Sequence, residues 1–402
     1  MLKHPKSNIG FSEIDWREKT FTKPNTKIRI GSLFSGIGAV EQAFIRLGLN
    51  HEIVFAGDID KFVKESYFAN YNISQEKWHE DIKKFKSEKF KGKIDILTGG
   101  APCQPFSQIG KRKGLLDTRG TLFHEFKRVI KDTEPSVFIF ENVKGILSND
   151  KGRTWETILN YFNELKYKIY FNILNSKDYG IPQNRQRIFI IGFKDKDTDF
   201  QFPKPIKLEH NMQDFLEDDI NSKYYLSQKG IKFVTSSRNR KKHFTQINGE
   251  IAICQKSRQQ FNWHGDFIFN EIENHKNFDE FVFDVKDVEE KYYLSETVKN
   301  FVLSPGSKSF NVSTETDLDI ARPLLQTMHK MHRAGIDNYV TRKGKIRKLT
   351  PRECLRLMGF PDDFKIQVSD TQMYRQAGNS IVVNVIVALL KQMDITKFCS
   401  AK

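Results

Sequence analysis

The residues with the clearest chemical potential are Gly99-Gly100-Ala101-Pro102-Cys103-Gln104-Pro105-Phe106-Ser107, which follow an apolar run over 94–98. If that run is a strand, Cys103 stands just past its carboxyl end. Two glycines permit a tight turn there and two prolines fix the backbone on either side. A free thiol has a pKa of about 8.5, so only a few per cent is thiolate at neutral pH. Backbone N–H groups and neighbouring arginines increase that share. The position suits a covalent nucleophile. The competing reading is a structural cysteine packing as a small hydrophobe, which the loop and its prolines argue against. The other cysteines, Cys254, Cys354 and Cys399, are scattered and form no C-x-x-C. Neither a metal site nor a disulfide framework is expected, and the pattern fits a reducing cytoplasm.

Two further groups sit where chemistry is expected. Glu141-Asn142-Val143 follows the apolar run 136–140. An acid at the end of a buried strand is partly desolvated, which raises its pKa and lets it hold a proton. It reads equally as an ordinary acid at a helix start. Gln183-Asn184-Arg185-Gln186-Arg187 precedes another apolar run. In extended chain Arg185 and Arg187 point to the same side, making an anion site or a support for a nearby carboxylate and thiolate. The plainer alternative is a solvated charge pair.

These groups need a scaffold that brings strand ends together. A strand over 27–34, the turn Ser35-Gly36-Ile37-Gly38 and a helix over 39–47 open the series, with Gly48 as the stop. Further strands are expected over 52–57, 94–98, 136–140, 168–173 and 187–192, mostly separated by helices. Alternation of this kind implies an open α/β sheet with its site at the strands' carboxyl ends. The glycine turn allows a ligand close to the backbone, and Asp58, ending the second strand, suits the ribose hydroxyls of a nucleoside cofactor. A plain strand–turn–helix explains the same residues. A dinucleotide is disfavoured because the full G-x-G-x-x-G is absent.

The 402 residues allow a large core and a second, smaller domain. Lys and Arg outnumber Asp and Glu by 65 to 50, a formal charge of +15. That favours a polyanionic partner, although solubility alone accounts for it too. No apolar run is long enough for a membrane span, and the polar start lacks a secretory apolar region. Residues 1–26 read as an arm, 27–195 as the catalytic and cofactor-binding domain and 196–345 as a polar second domain entered through Phe202-Pro203-Lys204-Pro205. A hinge segment follows over 346–378, and 379–402 returns to the first domain. Strand-like pieces such as 250–254 occur in the second domain, and helical periodicity returns at 350–358 and 380–393.

A thiol, a protonatable acid and paired guanidiniums fit one reaction. Carbon 5 of cytosine is a poor nucleophile. Thiolate addition at carbon 6 makes the ring enamine-like, and an acid near ring nitrogen 3 stabilises the adduct. Carbon 5 then takes a methyl from a sulfonium donor, and loss of its proton expels the cysteine. The base must first leave the duplex stack, at a cost of a few kcal/mol.

On these residues the chain resembles the DNA (cytosine-5)-methyltransferases of bacterial restriction–modification systems. FSGIG is similar to the family's cofactor loop, PCQPFS to its nucleophile motif, ENV to its carboxylate motif and QNRQR to its paired-arginine motif. RKLTPRECLRLMGFP (347–361) and QAGNS (376–380) are similar to its two late motifs, all in the family's usual order. The resemblance implies an S-adenosylmethionine-dependent, Rossmann-like α/β domain with a smaller target-recognition domain. It implies Cys103 as nucleophile, Glu141 as the acid on the cytosine edge, and Arg185 and Arg187 organising the site. It places Phe34, Ser35, Gly36, Ile37, Gly38, Asp58, Ile59, Asp81, Ile82, Pro102, Asn379 and Ser380 around S-adenosylmethionine. Gln104, Ser107, Arg119, Asn142 and Val143 are implied to meet the DNA, with 104–122 as a loop that closes over it. The basic clusters 238–243 and 342–345 suit phosphates, and His329, His332 and Arg333 suit positions nearer the bases. Two departures stand out: Asp58 where the family usually has Glu, and Ala39 where its loop usually has a second glycine.

The expected partner is double-stranded DNA, acted on by a cytoplasmic monomer, with a cognate restriction endonuclease as a separate protein. The rivals are a transfer-RNA cytosine-5 methyltransferase, whose Cys-Phe-Thr signature is absent, a non-catalytic DNA-binding regulator, and a nicotinamide-dependent oxidoreductase. The last leaves Cys103 and the paired arginines unexplained.

Overall fold

The computed structural model describes residues 7–101, 121–217, 220–226, 228–236, 238–239, 242, 244–257, 263–270 and 345–399. The chain divides into two compact units. The first comprises 1–217, 250–260 and 351–402, and the second 218–249 and 261–350.

The first unit is built on a six-stranded sheet. Its strands are β1 (Ile28–Leu33), β2 (His51–Gly57), β3 (Ile96–Gly99), β4 (Val137–Val143), β5 (Lys168–Asn175) and β6 (Gln186–Phe193), in the order β2-β1-β3-β4-β6-β5. The first four run parallel, and β6 runs antiparallel to both β4 and β5. The near-continuous burial of β1, β3 and β4 is that of parallel strands covered on both faces. Each of the five later strands overlaps its expected run. The chain leaves β1 for β2 on one side and returns to β3 on the other. Such a switch opens a crevice at the strands' carboxyl ends, where open α/β sheets bind ligands.

Helices cover both faces: α1 (Ala39–Arg46), α2 (Lys61–Asn70), α3 (Thr121–Thr133), α4 (Arg153–Asn163), α6 (Pro351–Arg356), α7 (Asp370–Asn379) and α8 (Val383–Met393). The frequent phenylalanine finds its use in the main core. Phe55, Phe85, Phe123, Phe126, Phe138, Phe140 and Phe162 interlock there with Trp155. Helix α8 packs against α1, which returns the end of the chain to the first unit.

Residues 7–26 lie along the body rather than trailing from it. Asn8 donates through its backbone N–H to Phe171 O (3.3 Å) and accepts from Phe171 N–H at Oδ1 (2.8 Å), so it covers the open edge of β5. Ser12 pairs with Phe202, Trp16 is buried, and Thr22 donates from both N–H and hydroxyl to Asp394 Oδ2. The residues after β6 also stay with this unit. Phe200 and Phe202 are buried, and Arg356 donates to the carbonyls of Phe215 and Leu216. Residues 250–254, expected as a strand-like piece, contribute a single parallel bridge, Gln183 to Ala252. Ala252 bonds through its backbone to Pro182 and Asn184, and Glu250 O accepts from Met212 N–H (2.7 Å).

The second unit contains α5 (Gln228–Thr235) and a three-stranded sheet of β7 (Thr245–Ile247), β8 (Gly265–Asn270) and β9 (Lys345–Lys348). Val234 and Phe267 are buried together, with Leu226, Ile231, Phe233 and Trp263 packed around them. Among the described residues no helix is long and apolar enough to cross a membrane.

Candidate active site

Strand register brings the predicted groups to one edge. Leu33 is level with Gly57 on one side and Gly99 on the other, and Gly99 is level with Phe140. Phe34, Asp58, Gly100 and Glu141 therefore all emerge at the carboxyl ends of neighbouring strands. Because β6 is antiparallel, its start lies at the same edge, with Arg187 opposite Val143.

Glu141 is 13 % exposed, and its Oε1 lies 3.0 Å from Arg187 Nε. Burial pushes its carboxyl above the ordinary glutamate range, opposed by the charges of Arg187 and Arg185 and by the Arg187 hydrogen bond. A Cβ on Gly100 would come within 3.0 Å of both the carbonyl and Oε2 of Glu141, so only a bare backbone fits beside the acid. Asn142 is buried. It donates from Nδ2 to Ala101 O (3.0 Å) and accepts from Val143 N–H at Oδ1 (2.9 Å), tying the end of β4 to the chain that leads into Pro102. Val143 is partly exposed beside it.

The two arginines do different things. Arg187 takes the carboxylate, donates from Nη1 to Gln186 O (2.9 Å) and places Nη2 3.9 Å from Cys254 Sγ. Arg185 is 2 % exposed. It donates from Nη1 to Gln255 O (3.0 Å) and from Nη2 to Gly378 O (3.0 Å) and Ser380 O (2.7 Å). It thus pins two distant segments to the start of β6. Burial, with Arg187 next to it, lowers its pKa to about 10, which leaves it charged at neutral pH. Cys254 lies 3.7 Å from Arg185 Nη1; the sequence shows it only as one of the scattered cysteines, in a strand-like piece, because no motif links it to the arginines.

On the β1–β2 side, Phe34 has φ 51°, and Gly36 and Gly38 have φ 54° and 78°. Ser35 donates its hydroxyl to Ser32 O and Gly57 O and accepts from Gly57 N–H. Asp58 accepts from Gly36 N–H at Oδ2 (3.2 Å) and from Asp60 N–H at Oδ1 (3.0 Å). Burial raises its carboxyl, against those backbone hydrogen bonds. Ile59 next to it is 80 % exposed. Asp81 caps its own turn by accepting from Lys83 N–H, and Ile82 is buried. Asn379 ends α7 with an exposed side chain, while Ser380 is buried and offers its carbonyl to Arg185.

Pro102, Cys103, Gln104, Ser107 and Arg119, with nearly all of the 104–122 loop, lie outside the described residues, as do His329, His332, Arg333 and the basic cluster 342–344. Among the described residues, this edge of the sheet carries an acid held by a guanidinium, a glycine gap beside it, and a second acid at the end of a neighbouring strand.

The sequence profile of C-5 cytosine-specific DNA methylases matches residues 28–394. Among curated proteins, Type II methyltransferase M.SsoII of Shigella sonnei is 35 % identical, over 92 % of this chain and 81 % of its own length. Type II methyltransferase M.NlaX of Neisseria lactamica is 33 % identical, over 91 % and 96 %. Among solved structures, the Dnmt2 methyltransferase of S. pombe superposes with a TM-score of 0.60 at 22 % identity, covering 91 % of this chain and 98 % of its own. The Entamoeba histolytica methyltransferase EhMeth gives 0.61 at 17 %, covering 92 % and 98 %. These last two share the fold. The transfer-RNA alternative is not favoured, since the profile and the curated relatives are of DNA enzymes or type II methyltransferases. The chain is an enzyme of the C-5 cytosine-specific DNA methylase family.

Proposed function

We propose that this enzyme methylates one cytosine within a specific duplex sequence, taking the methyl from S-adenosylmethionine, as the modification half of a restriction–modification system. The observation that carries the reading is the Glu141–Arg187 pair on the same sheet edge as the Asp58–Gly36 turn. One end of the crevice suits a base and the other a nucleoside cofactor.

The cofactor end fits an adenosyl group on its own terms. Asp58 is an acid with a raised carboxyl at a strand end, Ile59 offers an exposed apolar face beside it, and the space at Gly36 is open. Asp58 would take the ribose hydroxyls, Ile59 and Ile82 the faces of the adenine, and Asp81 its amino group. Phe34, Ser35, Ile37, Gly38 and Pro102 would complete this wall, and Asn379 and Ser380 the methionine side. When bound, the sulfonium supplies an electrophilic methyl.

The chain's own residues do the rest. Cys103 adds to carbon 6 of the flipped cytosine. Glu141, kept protonatable by burial and held by Arg187, hydrogen-bonds the ring edge at nitrogen 3 and stabilises the charge that develops there. Arg185 fixes the backbone around this centre. Asn142 and Val143 shape the wall of the base pocket, while Gln104, Ser107 and Arg119 meet the duplex. The second unit reads the target sequence, with Arg238 and Lys242 in one of its basic clusters. The enzyme works as a monomer, and a cognate endonuclease is a separate protein.

Transfer of label from S-adenosylmethionine to duplex DNA, with transfer RNA in parallel, tests the reading. Label in DNA alone is expected. Cys103→Ala should abolish transfer while duplex binding stays within a few-fold. Undiminished turnover in that variant overturns the nucleophile assignment.

A further inference from the structure

The turn between β1 and α1 places three left-handed residues within five positions: Phe34, Gly36 and Gly38. Glycines adopt φ > 0 freely, but Phe34, an L-residue, holds it only where neighbours over-determine it. At its front the turn is tied to β2 through Ser35 and through Gly36 N–H on Asp58. At its rear the partner comes from α2. Tyr71, which follows that helix and is buried, sets its hydroxyl 2.7 Å from Gly38 O and 3.0 Å from Ile37 O. Its ring fills the space under Gly38, where a Cβ would fall 2.2 Å from Tyr71 Cε2. The ring is itself fixed against Tyr67, with centroids 4.7 Å apart, and Tyr67 donates its hydroxyl to Glu41 Oε1 on α1 (2.7 Å). Helix α2 also holds the other side of the crevice. Ser66 donates to Gln376 Oε1 (2.7 Å) three residues before Asn379, and Asp60, capping α2, faces Arg375 at 3.4 Å.

We infer that Tyr71 is a positioning residue for the cofactor: its ring is the floor of the Phe34–Gly38 turn, and its hydroxyl fixes the two carbonyls that set the turn's shape. The inference rests on reading that turn as the S-adenosylmethionine loop. Tyr71 lies behind the turn and touches no substrate, so its contribution belongs to cofactor binding and leaves the chemical step alone.

Tyr71→Phe keeps the floor and removes the hydroxyl, whereas Tyr71→Leu removes both. In the full-length enzyme, S-adenosylmethionine binding is measured by calorimetry without DNA, and KM and kcat with duplex. Losing one buried hydrogen bond of this kind predicts a rise of about five- to tenfold in both Kd and KM for Tyr71→Phe. Its kcat at saturating cofactor should stay within about twofold, and a larger rise in Kd is expected for Tyr71→Leu. An unchanged Kd in Tyr71→Phe overturns the inference, including where the melting temperature falls, since that is support of the fold alone. A fall in kcat with constant KM overturns it too. Failure of the wild-type protein to bind S-adenosylmethionine at all would instead remove the reading of the turn on which the inference stands.

Discussion

The acid that ends β2 and the acid that precedes the end of β4 sit on one sheet edge and are held by opposite means. Asp58 is fixed by backbone: its oxygens accept from the N–H groups of Gly36 and Asp60, and the farther of these is 22 residues away. Glu141 is fixed by a guanidinium from a strand formed later in the chain, and that strand's start is itself pinned by Arg185 to carbonyls 70 and 195 residues distant. Burial raises both carboxyls, but Glu141 is opposed by two cations, whereas Asp58 has the like charge of Asp60 nearby. A local backbone cradle suits a group that must bind the same cofactor in every cycle. A long-range side-chain clamp suits a proton-handling acid, whose charge state is set by how close the guanidinium stands.

The largest expected effect breaks the clamp side. Glu141→Gln keeps the shape and removes the titrating group, so kcat should fall by about 10²–10⁴-fold, with KM for S-adenosylmethionine nearly unchanged. The wild-type acid ionises above the usual glutamate value of about 4.3. A decline of kcat/KM as pH rises through that raised pKa should be present in the wild type and absent from the residual activity of the variant. Single-turnover kinetics across pH checks this. A variant that instead raised cofactor KM with kcat intact would erase the division between the two halves.

That division also explains what was legible in the amino-acid order. The half proposed to hold the cofactor is local: a glycine turn between strand and helix and an acid at the next strand end. The turn and the acid are both visible in Ser35-Gly36-Ile37-Gly38 and Asp58, although those residues alone fit a plain strand–turn–helix equally well. In the other half the motif strings named the acid and the arginines, but strand periodicity said nothing of which arginine would meet the acid. Same-side alternation suggested a matched pair. In the structure Arg185 precedes the strand and turns to Gln255, Gly378 and Ser380, leaving Glu141 to Arg187. The partners of Arg185 are carbonyls, which no side-chain pattern records. Residues 250–257 were illegible for the same reason. They belong with the first unit through backbone bonds to the 182–184 turn and through packing against Gly378, not through any apolar period. The arm was legible as polar, but its use depends on β5 being an open edge, a fact of topology.

A middle-sized effect probes the backbone-held side. Asp58→Ala removes the acceptor of two N–H groups and the proposed ribose contact. Cofactor Kd should rise about tenfold, the equivalent of one charge-assisted hydrogen bond, with kcat at saturation little changed. Calorimetry on the variant gives the first quantity and steady-state kinetics the second. An unaltered Kd would detach Asp58 from the cofactor and leave it as a cap for the 58–60 turn.

The smallest effect concerns a third buried acid, one held by neither a guanidinium nor the N–H groups of a turn. Glu41 lies wholly buried under the cofactor turn. It accepts from Tyr67, its Oε2 has no partner, and burial pushes its pKa up. In the unfolded chain a glutamate gives up its proton near pH 4.3, roughly, whereas the folded state keeps it to higher pH. Between those values the unfolded state binds fewer protons, so stability is full below the unfolded pKa and is lost as pH rises through the folded one. Glu41→Gln does not titrate. Relative to this variant the wild type should therefore lose melting temperature as pH rises above about 4.3, by roughly 2 °C for each unit by which the pKa is raised. Melting curves of both proteins across that range decide it. Parallel curves would mean that Glu41 gives up its proton at the same pH in the folded and the unfolded chain, so that its hydrogen bonds offset its burial.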